Sequence, residues 1–433
     1  KDMYGHTFDG NVDGIGGDDF TLNFRTGPAD MGPPDIVTIY PPQNGLDIEL
    51  HPILNVTYDE QIDPSSITED ILNLERFLDR SKVPGTLEHY VVNDQSVLCF
   101  FPAEKLSPDE IYITRICPGL RDLFGNEASE WLSFSFRTVD FDYSILDIDN
   151  FESDVTSNWW TPQQSGSTEG IITDSTSRDA NTDIINLLTG STKSLEVKYG
   201  WDTGASSWLI RVYLGSGAPR NVLFDSDYIM QVYVFGDGSG NKFRFCVDDN
   251  VPIEVTGNHE VSPWYTIDWI GWKLISWDMT NDGTGTWIGN GNLDGTLRFD
   301  SFQLTYNPGS SVAGTVYFDD LRLVKNVSVG VEEQITSLLP SQFTLYQNYP
   351  NPFNPKTTIG YQLANGSNHV VLAIYDLLGR KLRTLVDKEQ PAGEYLIQWD
   401  GKDDNGTNVA SGIYLYKLST DDFSETRRML LVK

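Results

Sequence analysis

From Phe141 to Lys325 no long helical periodicity runs through the chain. Short alternating segments take its place, at Ser194–Tyr199, Trp208–Leu214, Tyr228–Phe235, Lys242–Val247, Trp272–Asp278, Thr296–Tyr306 and Thr315–Val324. Clusters of Gly, Asn and Asp separate them. A period of two with turn residues at every break builds strands, and many short strands in succession close into a sandwich. Nearer the start, Leu54–Tyr58 alternates, and Val97–Phe101 and Ile111–Ile116 flank the turn Leu106-Ser107-Pro108. Asp63-Pro64-Ser65-Ser66 reads as an N-cap and a first helical turn. The pattern predicts an all-β protein, and the 433 residues predict two to four domains.

Charge narrows the function classes. The chain has 62 acidic and 30 basic residues, a formal net charge of −32. That sign repels phosphate backbones and anionic membrane surfaces, so nucleic acid and membrane are not expected partners. It suits divalent cations and neutral glycans. Apolar residues make up 39%, enough to bury several cores. No apolar run is long enough to span a bilayer. The three cysteines, Cys99, Cys117 and Cys246, form no disulfide framework. Cys99 and Cys117 either face each other across a hairpin or are buried thiols. The chain begins at Lys1 without Met, which reads as a processed product or a fragment.

An internal repeat organises the first third. Lys1-Asp2-Met3-Tyr4-Gly5-His6 leads to Phe24-Arg25-Thr26, and Arg121-Asp122-Leu123-Phe124-Gly125-Asn126 leads to Phe136-Arg137-Thr138. Residues 1–27 therefore read as the terminal strands of an incomplete domain, and residues 28–140 as a complete one. An orphan strand is an unpaired edge, a template for pairing with another copy of the chain. The stretches Pro34–Thr68, Phe100–Ile116 and Arg121–Thr138 resemble a bacterial Ig-like domain of the surface-layer-protein type, which implies a spacer without a catalytic site. In the first copy, Asp9, Asn11 and Asp13 with Gly14 begin a calcium-loop pattern. Phe20 stands at its twelfth position, where Asp18 and Asp19 would have to substitute for Glu.

Residues 141–325 hold nine of the eleven tryptophans and read as one jelly roll. Leu146–Ser153, Ile267–Met279 and Gly314–Lys325 resemble carbohydrate-binding jelly rolls of bacterial polysaccharide-degrading systems. That resemblance implies a structural Ca²⁺ joining the first and last strands, with Asp149, Glu152, Asp319 and Asp320 in the matching places. Sugar binding needs aromatic faces to stack on C–H surfaces. Trp159, Trp160, Trp201, Trp264, Tyr265 and Trp287 lie in or near polar, Gly-rich stretches and are the candidates, whereas Trp208, Trp272 and Trp277 alternate within apolar strands and read as core. Adjacent acids such as Asp225 with Asp227 and Asp248 with Asp249 are expected by chance among 62. The five histidines are scattered, and no hydrolase, nucleotide-binding or Cys/His metal motif occurs.

A polar linker, residues 326–339, precedes a last sandwich at 340–433. Prolines 350, 352 and 355 exclude a helix there. Tyr349-Pro350-Asn351-Pro352-Phe353-Asn354-Pro355, Asp376-Leu377-Leu378-Gly379-Arg380, Trp399-Asp400-Gly401 and Ala410-Ser411-Gly412-Ile413-Tyr414 closely resemble the C-terminal sorting domain of the type IX (Por) secretion pathway. This is the form similar to the Ig-like domain of the flagellar hook-capping protein. The resemblance implies the type IX machinery as partner, export across an outer membrane, and a place outside the cell or on the surface of a Gram-negative-type bacterium. In that family the domain is often cleaved after export.

These expectations assemble into tandem β-sandwiches, in the order Ig-like, jelly roll, Ig-like. The chain reads as a non-catalytic secreted or cell-surface protein whose jelly roll binds polysaccharide. Two alternatives accompany that reading. One is a structural subunit of an extracellular filament or surface layer, assembled by strand exchange through residues 1–27. The other is the C-terminal accessory part of a secreted glycoside hydrolase.

Overall fold

The computed structural model describes residues 32–251, 258–326, 343–348, 351–364, 368–391, 393–421 and 423–432. The calcium-loop residues Asp9, Asn11 and Asp13, the orphan strands of 1–27 and nearly all of the linker lie outside them.

The first sandwich packs two sheets. One runs Ile36–Tyr40, Leu54–Tyr58, Gln95–Pro102, Gly85–Val92. The other runs Gly45–Ile48, Leu132–Thr138, Ile111–Ile116, Leu72–Arg76, Lys82–Val83, with the first pair parallel. Leu54, Val56, Leu72, Leu74, Leu98, Tyr112 and Phe136 meet between them. The Asp63 side chain accepts from Ser65 N–H and caps the 3-10 turn Pro64–Ser66, as its residue types require.

The jelly roll has two six-stranded sheets. In the first, Ser177–Asn181, Ser194–Gly200, Ala313–Asn326, Ile229–Asp237 and Ile270–Asp278 are neighbours in that order, and Tyr143–Asp149 also pairs with Ala313–Asn326. In the second, the path is Ile210–Tyr213, Leu297–Thr305, Lys242–Asp248, His259–Val261, with Leu223–Phe224 and Tyr265–Thr266 as side branches. The inner faces meet in the largest core, which holds Trp159, Trp201, Phe243, Phe245, Trp277, Phe302 and Phe318.

The outer face of the first jelly-roll sheet carries an apolar patch, and Trp272, buried as expected, fills a core between domains rather than the jelly-roll interior. Ile275 and Trp277 enter the jelly-roll core, whereas Ile270, Trp272 and Leu274, at the alternate positions, point out of the sandwich. There they meet Ile53, Val97, Cys99 and Phe101 from the outer face of the first sandwich. Asn55 satisfies the strand edge across this seam. Its amide donates to the Trp272 carbonyl and its Oδ1 accepts from Trp272 N–H at 3.0 Å. Gly271 sits at φ +98° directly against it, and a Cβ would stand 2.5 Å from Asn55 Oδ1. Cys99 donates its thiol to the same Oδ1 at 3.0 Å, and all three cysteines are free.

The C-terminal sandwich sets Thr344–Leu345, Thr357–Leu363 and Gly393–Trp399 against Lys381–Gln390, Asn368–Tyr375, Gly412–Ser419 and Ser424–Leu431. It rests on the first sandwich. Tyr346 and Leu396 pack against Phe77, Ile111 and Ile113, with Phe77 edge-on to Tyr346 at 5.5 Å. A Cβ on Gly360 would lie 2.2 Å from the Phe77 ring. Among the described residues no helix is long and apolar enough to cross a membrane.

Candidate functional site

The outer face of the second jelly-roll sheet has a different composition. Along each strand, apolar residues enter the core and their neighbours face out. Ile210, Val212, Phe243, Phe245, Val247, Leu297, Phe299, Phe302 and Leu304 go inward. Arg211, Tyr213, Arg244, Cys246, Asp248, Arg298 and Gln303 are the alternate residues, and His259 joins them by pairing with Asp248. A register shift lets Cys246 pair with Ser301 and Val247 with Phe299, leaving Asp300 as the extra residue. The bulge turns Asp300 toward the same face, where it meets Arg211.

Charge on this face is arranged in a network. Arg211 forks onto Asp300 through Nε at 3.0 Å and Nη2 at 2.6 Å. Asp248 receives Arg220 Nη2 at 2.7 Å, Arg298 Nη2 at 2.7 Å and His259 Nδ1 at 2.7 Å. Burial opposes the Asp248 charge. The hydrogen bond from His259 and the guanidinium groups outweigh it and hold the carboxyl down at about 2. The same hydrogen bond raises His259 above the usual imidazole range, against its burial. Arg244 donates to Gln303 Oε1 at 2.8 Å and to the Thr286 carbonyl at 3.2 Å.

Aromatic rings border the network. Arg211 and Arg220 lie over the Tyr213 ring at 4.7 and 4.9 Å from its centroid. Trp160, 42% exposed, meets Tyr213 edge-on at 4.9 Å. Trp287 stacks on His259 at 5.7 Å, with Arg211 also 5.7 Å from its ring. Trp264 covers Arg244 at 4.1 Å.

The six aromatic candidates separate on this geometry. Trp160 and Trp287 border the face and keep surface. Trp264 is there too, with a ring face occupied by Arg244. Trp159 and Trp201 are corrections, at 0% and 1% exposure in the core. Trp159 stacks flat on Phe302 and spends its indole N–H on Asp149 at 2.8 Å, so no sugar can reach it. Tyr265 packs against Phe243 and Phe245 and donates its hydroxyl to the Ser276 carbonyl. Trp208, expected in the core, is half-buried against its edge.

The acids expected to bind calcium do not close into one cluster among the described residues. Asp149 accepts from Phe151 N–H and Trp159 Nε1–H. Glu152 accepts from the Thr192 amide and hydroxyl and from Lys193 N–H. Asp319 accepts from Asn186 N–H at 3.0 Å and from the Ser191 hydroxyl at 3.2 Å, and Asp320 from the Asn186 amide at 2.7 Å. Glu152, Asp319 and Asp320 thus fasten the segment 186–193, whereas Asp149 holds Trp159. Within the set, Asp319 and Asp320 are the buried neighbours: burial, then the Asp320 charge, push Asp319 up to about 9.

Cys246, His259 and Asp300 bring donor atoms within 4.8 Å of one another. Their surroundings oppose a cation. Arg211 already occupies both Asp300 oxygens, and burial raises the Cys246 thiol, which keeps it protonated.

Two family models match the chain. The bacterial Ig-like domain covers residues 30–138 and the FlgD Ig-like domain residues 352–423. Both are Ig-like domain types, as the motifs implied for each end. No curated protein matches. Among solved structures, a family 11 carbohydrate-binding module from Clostridium thermocellum, in complex with a β-1,3-1,4-mixed-linked tetrasaccharide, is 19% identical. It aligns over 42% of this chain and 95% of its own, with a TM-score of 0.28. A CBM27 module from Caldicellulosiruptor saccharolyticus, in complex with mannohexaose, is 13% identical over 42% of this chain and 96% of its own, TM-score 0.25. The S-layer protein SbsC is 11% identical over 92% of this chain and 54% of its own, TM-score 0.21.

Proposed function

We propose that the jelly roll is a carbohydrate-binding module carried between Ig-like domains on an extracellular or cell-surface protein. The observation that carries this reading is the outer face of the second sheet. It sets aromatic rings that keep exposed surface, Trp160 and Trp287, beside polar side chains fixed by one another. Rings of that kind stack on sugar C–H surfaces, and pre-oriented polar groups read hydroxyls and substituents with little ordering penalty.

The function is binding without bond cleavage. Glycoside hydrolysis needs a carboxylic acid kept protonated opposite a second carboxylate. Asp248 is held ionised by Arg220, Arg298 and the His259 contact, and Asp300 is taken up by Arg211. Asp248 is not placed to donate a proton.

Export through the type IX pathway is the finer part of this reading, supported by the motif resemblance of residues 340–433. A reporter fused to those residues should reach the medium or cell surface of a bacterium that has the pathway, and should stay inside a secretion mutant. The binding reading is tested by affinity electrophoresis of the whole chain through a panel of soluble polysaccharides. Retardation by at least one, lost in Trp160→Ala and Trp287→Ala, is the expected result. Unretarded migration in all of them would falsify it.

A further inference from the structure

This inference rests on the glycan-binding reading and names the class of glycan. The whole chain is strongly anionic at −32, yet the outer face of the second sheet gathers cations. Among the described residues, Arg211, Arg220, Arg244 and Arg298 share it with two carboxylates, Asp248 and Asp300, and His259 adds charge when protonated. The carboxylates are oversubscribed. Asp248 serves Arg220, Arg298 and His259. Asp300 serves Arg211 at 2.6 Å, with Arg220 4.0 Å away.

Arg244 has no carboxylate within ion-pair distance among the described residues. It is buried, its bonds go to the neutral acceptors Gln303 and Thr286, and Trp264 covers it. Burial lowers its pKa to about 10. The amide nitrogen of Gln303 beside it is buried and has no hydrogen-bond partner among the described residues. A buried guanidinium facing only neutral groups is unfavourable in the free protein, and a nearby anion offsets that.

Among the described residues, the other acids close in sequence do not neutralise the face. Glu260 pairs in register with Val247, so it projects from the opposite side, where it accepts from Asn290 and Gly291 N–H. Asp249 lies past the strand end and accepts from Asp294 N–H.

We propose that this face binds an anionic glycan, a polysaccharide bearing carboxylate or sulfate groups. Its charged substituents sit against Arg211 and Arg220, which lie over the Tyr213 ring, and its rings lie on Trp160 and Trp287. Guanidinium groups match carboxylate and sulfate oxygens in pairs, which an ammonium does not. Arg244 adds uncompensated positive charge behind them. Repulsion from the rest of the chain is screened beyond about 8 Å at physiological salt, so the local field decides.

The test is titration calorimetry of the full chain at 0.15 M salt against three probes. These are polygalacturonate, a sulfated galactan and neutral mixed-linkage β-glucan. We expect one or both anionic polymers to bind about tenfold or more tightly than the neutral one, an energy difference within reach of one or two charge-assisted contacts. Their affinity should fall as salt rises to 0.5 M. Arg220→Gln should weaken the anionic polymers selectively, and Arg220→Lys should not restore full affinity. The salt response of the unaltered chain needs no variant, so the test stands even if Arg220→Gln misfolds. Uronate-only or sulfate-only binding supports the proposal and identifies the substituent. Neutral glucan bound as well as the anionic polymers, with no response to salt, overturns the anionic assignment and leaves the glycan reading intact. Binding to none of the three overturns the anionic assignment, and the polysaccharide panel then decides the glycan reading.

Discussion

The two outer faces of the jelly roll differ sharply in what their alternate residues carry. Both belong to twisted antiparallel sheets over a shared interior. One outer face carries Tyr233, Phe235, Ile270, Trp272 and Leu274 and is roofed by the first sandwich. The other, among the described residues, carries four arginines, two aspartates and a histidine and is bordered by partly exposed rings. Period-two alternation assigns the inner residues alike in both. What occupies the alternate positions decides whether a face becomes a seam between domains or a surface for a ligand.

The largest effect should come from the apolar face. Trp272→Ala removes a fully buried ring from the seam and should lower stability by about 3–5 kcal/mol. Denaturation followed by fluorescence should then show the first sandwich and the jelly roll melting separately. A single unshifted transition would mean that the seam contributes nothing. Gly271→Ala, which drives a Cβ into Asn55, should act in the same direction.

The charged face should be sensitive to loss of its shared anion. Asp248→Asn leaves Arg220, Arg298 and His259 without their common partner. Breaking a buried pair this way should destabilise by about 3 kcal/mol, read as a lower denaturant midpoint. If Asp248→Asn melts like the parent chain, the network is ornamental.

Titration separates the carboxylates by sign. Asp248, held at about 2, contributes stability above the unfolded carboxylate value, near 3.9, and loses it as pH falls toward 2. Asp319 does the reverse. Its folded value, about 9, lies above the unfolded one, so its contribution is complete below about pH 4 and is lost as pH rises toward 9. In chelator the melting temperature should therefore decline from pH 5 to 9. We propose that Ca²⁺ at the Asp319–Asp320 pair flattens that decline. Identical pH profiles with and without calcium would remove the metal from the account.

The smallest effect on stability belongs to Trp160. Trp160→Ala alters an exposed ring and should shift stability by less than about 0.5 kcal/mol. It should weaken glycan retention by about 1–2 kcal/mol, on the scale of an aromatic anchor. Equal losses in folding and binding would return Trp160 to the core class.

Much of this was legible beforehand. Leu54–Tyr58 and Ile111–Ile116 are strands with the bounds that alternation gives, and Ile270–Asp278 is found two residues from its expected start. The site was legible only in part. Searching for rings in polar surroundings found Trp160 and Trp287 and also Trp159 and Trp201, because a Gly-rich neighbourhood does not tell a loop on the surface from one folded over the core. Arg211, Arg244 and Arg298 each alternate with core residues along their strands. That signal was present in the sequence. Asp300 had none, since its orientation depends on a bulge defined by the partner strand. The seam was hidden for a related reason: an apolar residue reads as core, whichever core it enters.

The first sandwich is covered on both sides, by the jelly roll on one sheet and by the C-terminal sandwich on the other. It is the keystone of an arch, since neither neighbour can be lifted away without baring a greasy surface. A C-terminal domain acting only as a shipping label would leave smooth ground when torn off. Shedding this one would strip Phe77, Ile111 and Ile113 of their cover, and the trimmed chain would be the stickier of the two.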